Sequence, residues 1–245
     1  MKVTAIIQAH MGSTRLPGKV LVDICGRPML VRVVERARRA ALIDELIVAT
    51  SDLAGDDAIV ACCTSIGIAC FRGDDSDVLD RFAMAARWAD ADAIVRITSD
   101  CPLVDPEVVD LVIDRFARSP SPVDYASNKI PQSFPRGLDT EVFTRAALER
   151  AWREASASYE RMHVTAYMYE HPDAFRLLSV TSDVDRADWR WTVDTVDDLR
   201  FVREVYGRLG PEGLFTWNDV VTLLEREPGL REINLTVRQK DAREG

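Results

Sequence analysis

The chain has 245 residues, 47% of them hydrophobic and 29% charged, with a formal net charge of -9. That length is enough for one large α/β domain with a self-sufficient core, or for one domain carrying a smaller insertion. The acidic balance repels a polyphosphate backbone and argues against broad nucleic-acid binding, so any anion site must be a local feature.

Val3–Gln8 is predicted as a buried strand, and the loop "QAHMGSTRLPGK" overlaps its end. Pro28 suits a helix start, and "MLVRVVERARRAA" continues with helical periodicity and a basic outer face. Glu45–Thr50 reads as a second strand and Gly55–Gly67 as a helix ending in glycine. "IACF" is a third strand, Ser76–Ala89 a helix opened by a capping residue, and Ala93–Thr98 a fourth strand stopped by "SDCP". Asp105–Arg118 is the next helix, with a cap followed by proline in its first turn. This β-α-β-α rhythm over Met1–Arg118 calls for a parallel sheet with helices on both faces. Ligands on such sheets bind beyond the carboxyl ends of the strands, where both "QAHMGSTRLPGK" and "SDCP" fall.

"SPSP" (Ser119–Pro122) breaks the pattern. "YASN", the loop "KIPQSFPRGLD", helices near Arg145–Ala155 and Glu160–Glu170, and the strand-like "FRLLSV" then read as a second lobe or insertion. "RWTVDTVDDLRFVREVYGRL" returns as strand, turn and helix, "TWNDVVTLLERE" is a late helix, and "VRQKDAREG" a frayed tail. Cys25, Cys62, Cys63, Cys70 and Cys101 show no CxxC pair or zinc spacing and are expected as free thiols in a reducing compartment. The first apolar run is only strand length, and no run approaches the ~20 apolar residues of a membrane span. A cytoplasmic protein without membrane partners is expected.

The first loop carries phosphate chemistry without being a Walker A loop. Five residues separate Gly12 from Gly18, and Val20 stands where that pattern needs Ser or Thr after lysine. No G-x-G-x-x-G is present for a dinucleotide. What remains is glycine for close approach of backbone N–H groups, hydroxyls from Ser13 and Thr14, a guanidinium fork from Arg15 and a compact cation from Lys19. Pro17 stiffens the loop.

"IIQAHMGSTRLPGKVL" resembles the N-terminal signature of the cytidylyltransferases that activate acidic sugars, the CMP-KDO synthetase group, and within them the spore-coat polysaccharide biosynthesis F-type branch. The resemblance continues in order through "RGDDSDVLDRF", "RITSDCPLVDP", "PRGLDTEVF", "YERMHVTAYMYEHP" and "WTVDTVDDL", to about Leu199. It implies a three-layer α/β/α sandwich of the nucleotide-diphospho-sugar transferase type, with a mostly parallel sheet and a small inserted lobe. One nucleotidyltransferase domain would span 1–245, with 123–182 binding the acceptor and forming a homodimer. The implied reaction is attack by a sugar hydroxyl on the α-phosphorus of CTP, giving CMP-sugar and pyrophosphate for a surface polysaccharide. The resemblance puts Gln8, Ala9, His10, Gly12, Ser13, Thr14, Arg15, Lys19, Arg72, Asp77 and Ser99 around the nucleotide, with Arg15, Lys19, Asp100 and Asp194 as the catalytic set. His10 departs from it, because this branch usually has arginine there as a phosphate contact, and histidine supplies less fixed charge at pH 7.

Phosphoryl-type transfer needs in-line geometry and charge neutralisation, and Mg²⁺ serves with one or two carboxylates plus phosphate oxygens and waters. Asp100 follows the fourth strand, with Pro102 ending the extended run just beyond, which leaves its carboxylate on the binding rim. Thr195 and Asp198 form a Thr-x-x-Asp helix start, leaving Asp194 free to face the site. The resemblance carries the family's two metal-binding aspartates onto Asp100 and Asp194. "DDSD" (Asp74–Asp77) is read as a loop and helix cap rather than a metal motif. For the acceptor, Arg136 could pair with a sugar carboxylate and Asp139 hold hydroxyls, with Glu141, Arg161 and His163 as further candidates. A glycosyltransferase consuming a finished nucleotide-sugar, or a non-catalytic nucleotide-binding protein, would share many of these features.

Overall fold

In β1 (Val3–Gln8), Ala5 and Ile7 pack into one hydrophobic cluster while Ile6, between them, packs into another. A strand buried on both faces belongs at the centre of a layered sheet. The computed structural model describes residues 1–239. After β1 come the short hairpin β2 (Asp23–Ile24) and β3 (Arg27–Pro28), then α1 (Met29–Ala37), β4 (Glu45–Ser51), α2 (Asp57–Ser65), β5 (Ala69–Gly73), α3 (Val78–Trp88), β6 (Ala93–Thr98) and α4 (Pro106–Ala117). The chain continues through β7 (Tyr125–Ser127), β8 (Glu141–Thr144), α5 (Arg145–Glu154), α6 (Ser158–Met162), α7 (Ala166–Glu170), β9 (Leu177–Ser179), α8 (Val196–Leu209), α9 (Trp217–Arg226) and α10 (Gly229–Glu232).

Seven strands form one sheet in the order β5-β4-β1-β6-β8-β7-β9. All run parallel except β8, which pairs antiparallel with both β6 and β7. Side chains of α1, α2 and α4 cover one face, and those of α3 and α5 the other. A third cluster lies under α8 and α9, around Trp191, Phe201 and Tyr206. The expected mostly parallel α/β/α sandwich is therefore present, and 123–182 contributes β7, β8 and β9 to the same sheet.

The expected caps hold at several helices. Asp77 accepts from Asp80 N at α3, Asp105 caps α4 with Pro106 following, and Thr195 and Asp198 form a reciprocal capping box at α8. Three expectations change. The helix expected over Glu160–Glu170 is two helices, because the chain turns at Val164 with φ 58, a conformation a helix cannot contain. "RWTV" forms no strand; only Arg190 bridges to Arg136, while Trp191 is buried and Val193 N donates to Asp100 O. Strand β8 follows the loop "KIPQSFPRGLD" where no strand was anticipated. Of the expected frayed tail, residues 240–245 lie outside the described residues.

Candidate active site

On this sheet β1 leads outward in one direction to β4 and β6 lies on its other side, so the strand order reverses between β1 and β6. A crevice opens at the carboxyl ends of strands at such a switch point. Gln8 and Thr98, the last residues of β1 and β6, are register partners there. A small cleft of about 80 Å³ is lined by Gln8, His10, Lys19, Val20, Thr98, Ser99 and Asp100. Larger hollows of about 640 and 460 Å³ lie beside α4 and α1, away from these strand ends.

The phosphate-type loop leaves β1 and is tied down at its start. Met11 N donates to Asp56 Oδ1 at 2.8 Å, while Thr50 and Ser51 hydroxyls and Ser51 N donate to Asp56 Oδ2. Asp56 is 4% exposed, and although burial pushes its pKa up, these donors outweigh it and hold the carboxyl below its ordinary value. Gly18 adopts φ 68, a left-handed turn that side-chain-bearing residues disfavour, and it delivers Lys19 into the interior.

Lys19 is where the loop meets the rest of the site. Its Nζ donates to Asp100 Oδ2 at 2.9 Å, to Asp194 Oδ1 at 2.8 Å and to Val193 O at 2.8 Å. Burial alone would lower the lysine pKa, but Asp100 and Asp194 outweigh it and raise it. Burial likewise pushes Asp100 up, but the Lys19 charge and a Thr98 hydrogen bond prevail and hold it at about 2. Arg15 Nη2 reaches Asp194 Oδ1 at 3.0 Å. The structure thus brings together Arg15, Lys19, Asp100 and Asp194, from three separate stretches of the chain.

Arg190 completes the cluster and was not anticipated from the sequence. It donates to Asp194 Oδ2 at 2.7 Å and, through Nε, to Asp198 Oδ1 at 2.9 Å. The same Asp198 accepts from the backbone N of Asp194 and Thr195, so the capping box also orients Asp194. The 190–194 segment lies on Gly137, whose φ is 111; a Cβ there would come within 2.7 Å of Thr192 N. Only the glycine lets these two loops close.

The remaining expected residues are placed unequally. Gln8 Oε1 accepts from Arg96, Ala9 N bonds to Ala49 O, and Ser99 N donates to Gln8 O, so these three shape the floor. Gly12 and Thr14 are exposed on the loop, Ser13 Oγ accepts from Leu16 N, and a Cβ on Gly12 would lie 3.2 Å from His10 Nδ1. Surrounding protein lowers the His10 pKa, helped by Arg81 and Lys19 against Asp56 and Asp75, so its ring is neutral at pH 7. Arg72 is pinned elsewhere, by Ser51 O, Leu53 O and Asp57. Asp77 and Arg161, expected on the nucleotide and the sugar respectively, are bonded to each other.

Among the expected sugar contacts, Asp139 accepts from Gln132 Nε2, and burial raises its pKa. Arg136 uses its backbone to hold Trp189 and Trp191. Glu141 is 3% exposed, bonded by Arg96, Tyr125 and Thr165 with Lys129 close by. Burial pushes its pKa up, but Lys129 and Arg96 prevail and hold it at about 2. It is a centre of the fold rather than a presented carboxylate. His163 sits between α6 and α7, its backbone N bonded to Tyr159 O.

Two carboxylates whose oxygens converge on one ammonium form a hard-oxygen donor set that fits a divalent ion shared with phosphate oxygens. Among the described residues, no group of three or more His, Cys, Asp or Glu gathers to cage an ion by protein alone. No helix among them is long and apolar enough to cross a membrane.

The cytidylyltransferase family profile matches residues 4–206. The chain is 35% identical over 230 residues to the spore coat polysaccharide biosynthesis protein SpsF of Bacillus subtilis, covering 91% of this chain and 94% of that one. It is 41% identical over 121 residues to the 3-deoxy-manno-octulosonate cytidylyltransferase of Trichlorobacter lovleyi, spanning 49% of this chain and 47% of that one. A cytidylyltransferase structure from Leptospira borgpetersenii superposes with a TM-score of 0.91 at 29% identity, covering 98% of this chain and 99% of that one. The resemblance seen in the loop and strand-end motifs therefore extends to sequence and fold together, and the chain belongs to the cytidylyltransferase family of nucleotidyltransferase enzymes.

Proposed function

We propose that the chain transfers CMP from CTP to a hydroxyl of an acidic sugar, releasing pyrophosphate, with Mg²⁺ as the divalent ion and a surface polysaccharide as the destination. The observation that carries this reading is the convergence of Arg15 and Lys19 with Asp100 and Asp194 at the ends of β1 and β6. When bound, the ion neutralises phosphate charge and helps hold the α-phosphate for in-line attack. Asp100 and Asp194 are the side chains that would hold it. Arg15 offers a fork to phosphate oxygens and Lys19 a point charge, while Arg190 and Asp198 fix the Asp194 carboxylate. SpsF and the octulosonate enzyme support a sugar acceptor and, by their names, a polysaccharide role and an acidic sugar. Segment 123–182 is assigned to the acceptor, with Arg136 and Asp139 as the groups that would meet its carboxylate and hydroxyls, and to the homodimer contact.

Pyrophosphate release from each of the four nucleoside triphosphates, with Mg²⁺ and a panel of sugar acids, tests the proposal. Release from CTP with one acid, and none without acceptor, is expected. Inert CTP together with cleavage of a preformed nucleotide-sugar would replace it with a glycosyltransferase reading.

A further inference from the structure

The Lys19 ammonium has three N–H donors, and all three are used on Asp100, Asp194 and Val193 O. Its nitrogen therefore occupies the point on which both carboxylates converge. A divalent ion bound by the same two oxygens would lie about 2.0–2.1 Å from them, which leaves no room and no favourable charge for the ammonium. The two cations compete for one seat.

We propose that Lys19 is the resident occupant of the ion seat, and that the divalent ion binds tightly there only with a nucleotide whose phosphates draw Lys19 away. This rests on reading Asp100 and Asp194 as the ion ligands. The chain is built for such an exchange. Lys19 has a flexible four-carbon stem and follows the left-handed turn at Gly18, so its head can move without shifting the sheet. Asp194 does not depend on Lys19 for its orientation, because Arg190 holds its other oxygen and Asp198 its backbone. Arg15 touches the same Oδ1 at 3.0 Å, so a triphosphate would attract two cations off one carboxylate at once. Ion and nucleotide then assist one another by the same factor, since linkage between binding equilibria is reciprocal. An ion without nucleotide has to displace a buried, fully bonded ammonium with nothing to receive it.

Mn²⁺ binding followed by electron paramagnetic resonance tests this without relying on turnover. The proteins are the wild type, Lys19→Met and Lys19→Gln, each checked for folding by circular dichroism. Without nucleotide, both variants are expected to bind Mn²⁺ at least about tenfold more tightly than the wild type, and Asp194→Asn added to Lys19→Met to remove the gain. The affinity of wild type for a non-hydrolysable CTP analogue should rise on adding Mn²⁺ by a factor in the range of about 5–150 usual for coupled sites, and less in Lys19→Met. Should one Lys19 variant fail to fold, the other decides. Equal nucleotide-free affinity in wild type and variant, with Mn²⁺ still lost from the nucleotide complex of Asp100→Asn, overturns the competition but leaves the ion site standing. Mn²⁺ binding indifferent to Asp100 and Asp194 under every condition overturns both.

Discussion

Lys19 and Asp194 stand 175 positions apart in the chain and meet through a hydrogen bond of 2.8 Å. The first belongs to the loop after β1, the second to the turn that caps α8, and Asp100 at the end of β6 joins them. Closing this triangle takes both halves of the chain, so the site exists only in the completed fold. Its chemistry can be tested one side chain at a time.

Asp100→Asn keeps the shape of the side chain but removes its charge. Turnover with CTP and the preferred acid is expected to fall by about 10²-fold or more, as when a preorganised charge-stabilising group is lost. The fold should survive with a modest drop in melting temperature, because Lys19 loses one charged partner but keeps Asp194 and Val193 O. Steady-state kinetics and calorimetry on the same preparation check this; unchanged kcat removes Asp100 from the chemistry.

His10→Arg restores the fixed charge usual in this branch. The His10 ring is neutral at pH 7 because its surroundings lower its pKa, so the arginine adds a positive charge beside Gly12. The KM for CTP is expected to drop severalfold, with little change in stability at this exposed position. An unchanged KM would mean that the residue does not contact phosphate.

Asp56→Ala removes the acceptor that fixes Met11 N and leaves the Thr50 and Ser51 donors without their carboxylate. Buried donors left unpaired cost about 1–3 kcal/mol each. Urea unfolding should show a loss of that order or more, and the KM for CTP should rise because the loop is no longer anchored. A rise in KM without loss of stability would place Asp56 at the ligand instead.

Glu141 is held at about 2, below the 4.5 of a free glutamate, so its stabilisation is complete above pH 4.5 and is lost as the pH falls towards 2. Glu141→Gln takes the partner from Arg96, and breaking a buried pair costs about 3–5 kcal/mol. The variant should therefore be less stable than wild type by about that much at neutral pH. The gap should narrow between pH 4.5 and 2. A constant gap across that range would contradict the ionised state assigned to Glu141.

The central strands were legible because almost wholly buried runs such as "AIVRIT" lie between glycine, proline and capping residues. The caps at Asp77, Asp105 and Thr195 were equally legible, since short polar side chains that satisfy free helix N–H groups have few alternative uses. Strand β8 was hidden because four residues opening on a buried glutamate carry no alternation, and no tight turn joins it to either pairing partner, β7 or β6. The break at Val164 was hidden because a branched residue is the last expected to take a left-handed turn. In the site, Lys19, Asp100 and Asp194 stood out by their neighbours in sequence. Arg190 and Asp56 did not, because what gives each its role is a partner brought in by tertiary contact. The one local signal for Arg190 was its spacing of four and eight residues from Asp194 and Asp198.

A crystal structure of the protein with Mn²⁺ and a non-hydrolysable CTP analogue, with the ion located by anomalous scattering, tests the opposed-charge site most directly. The expected result is an ion bound by carboxylate oxygens of Asp100 and Asp194 and by the nucleotide's phosphates, with Arg15 and Lys19 on those phosphates. An ion bound away from both aspartates, or phosphates out of reach of Arg15 and Lys19, would contradict it.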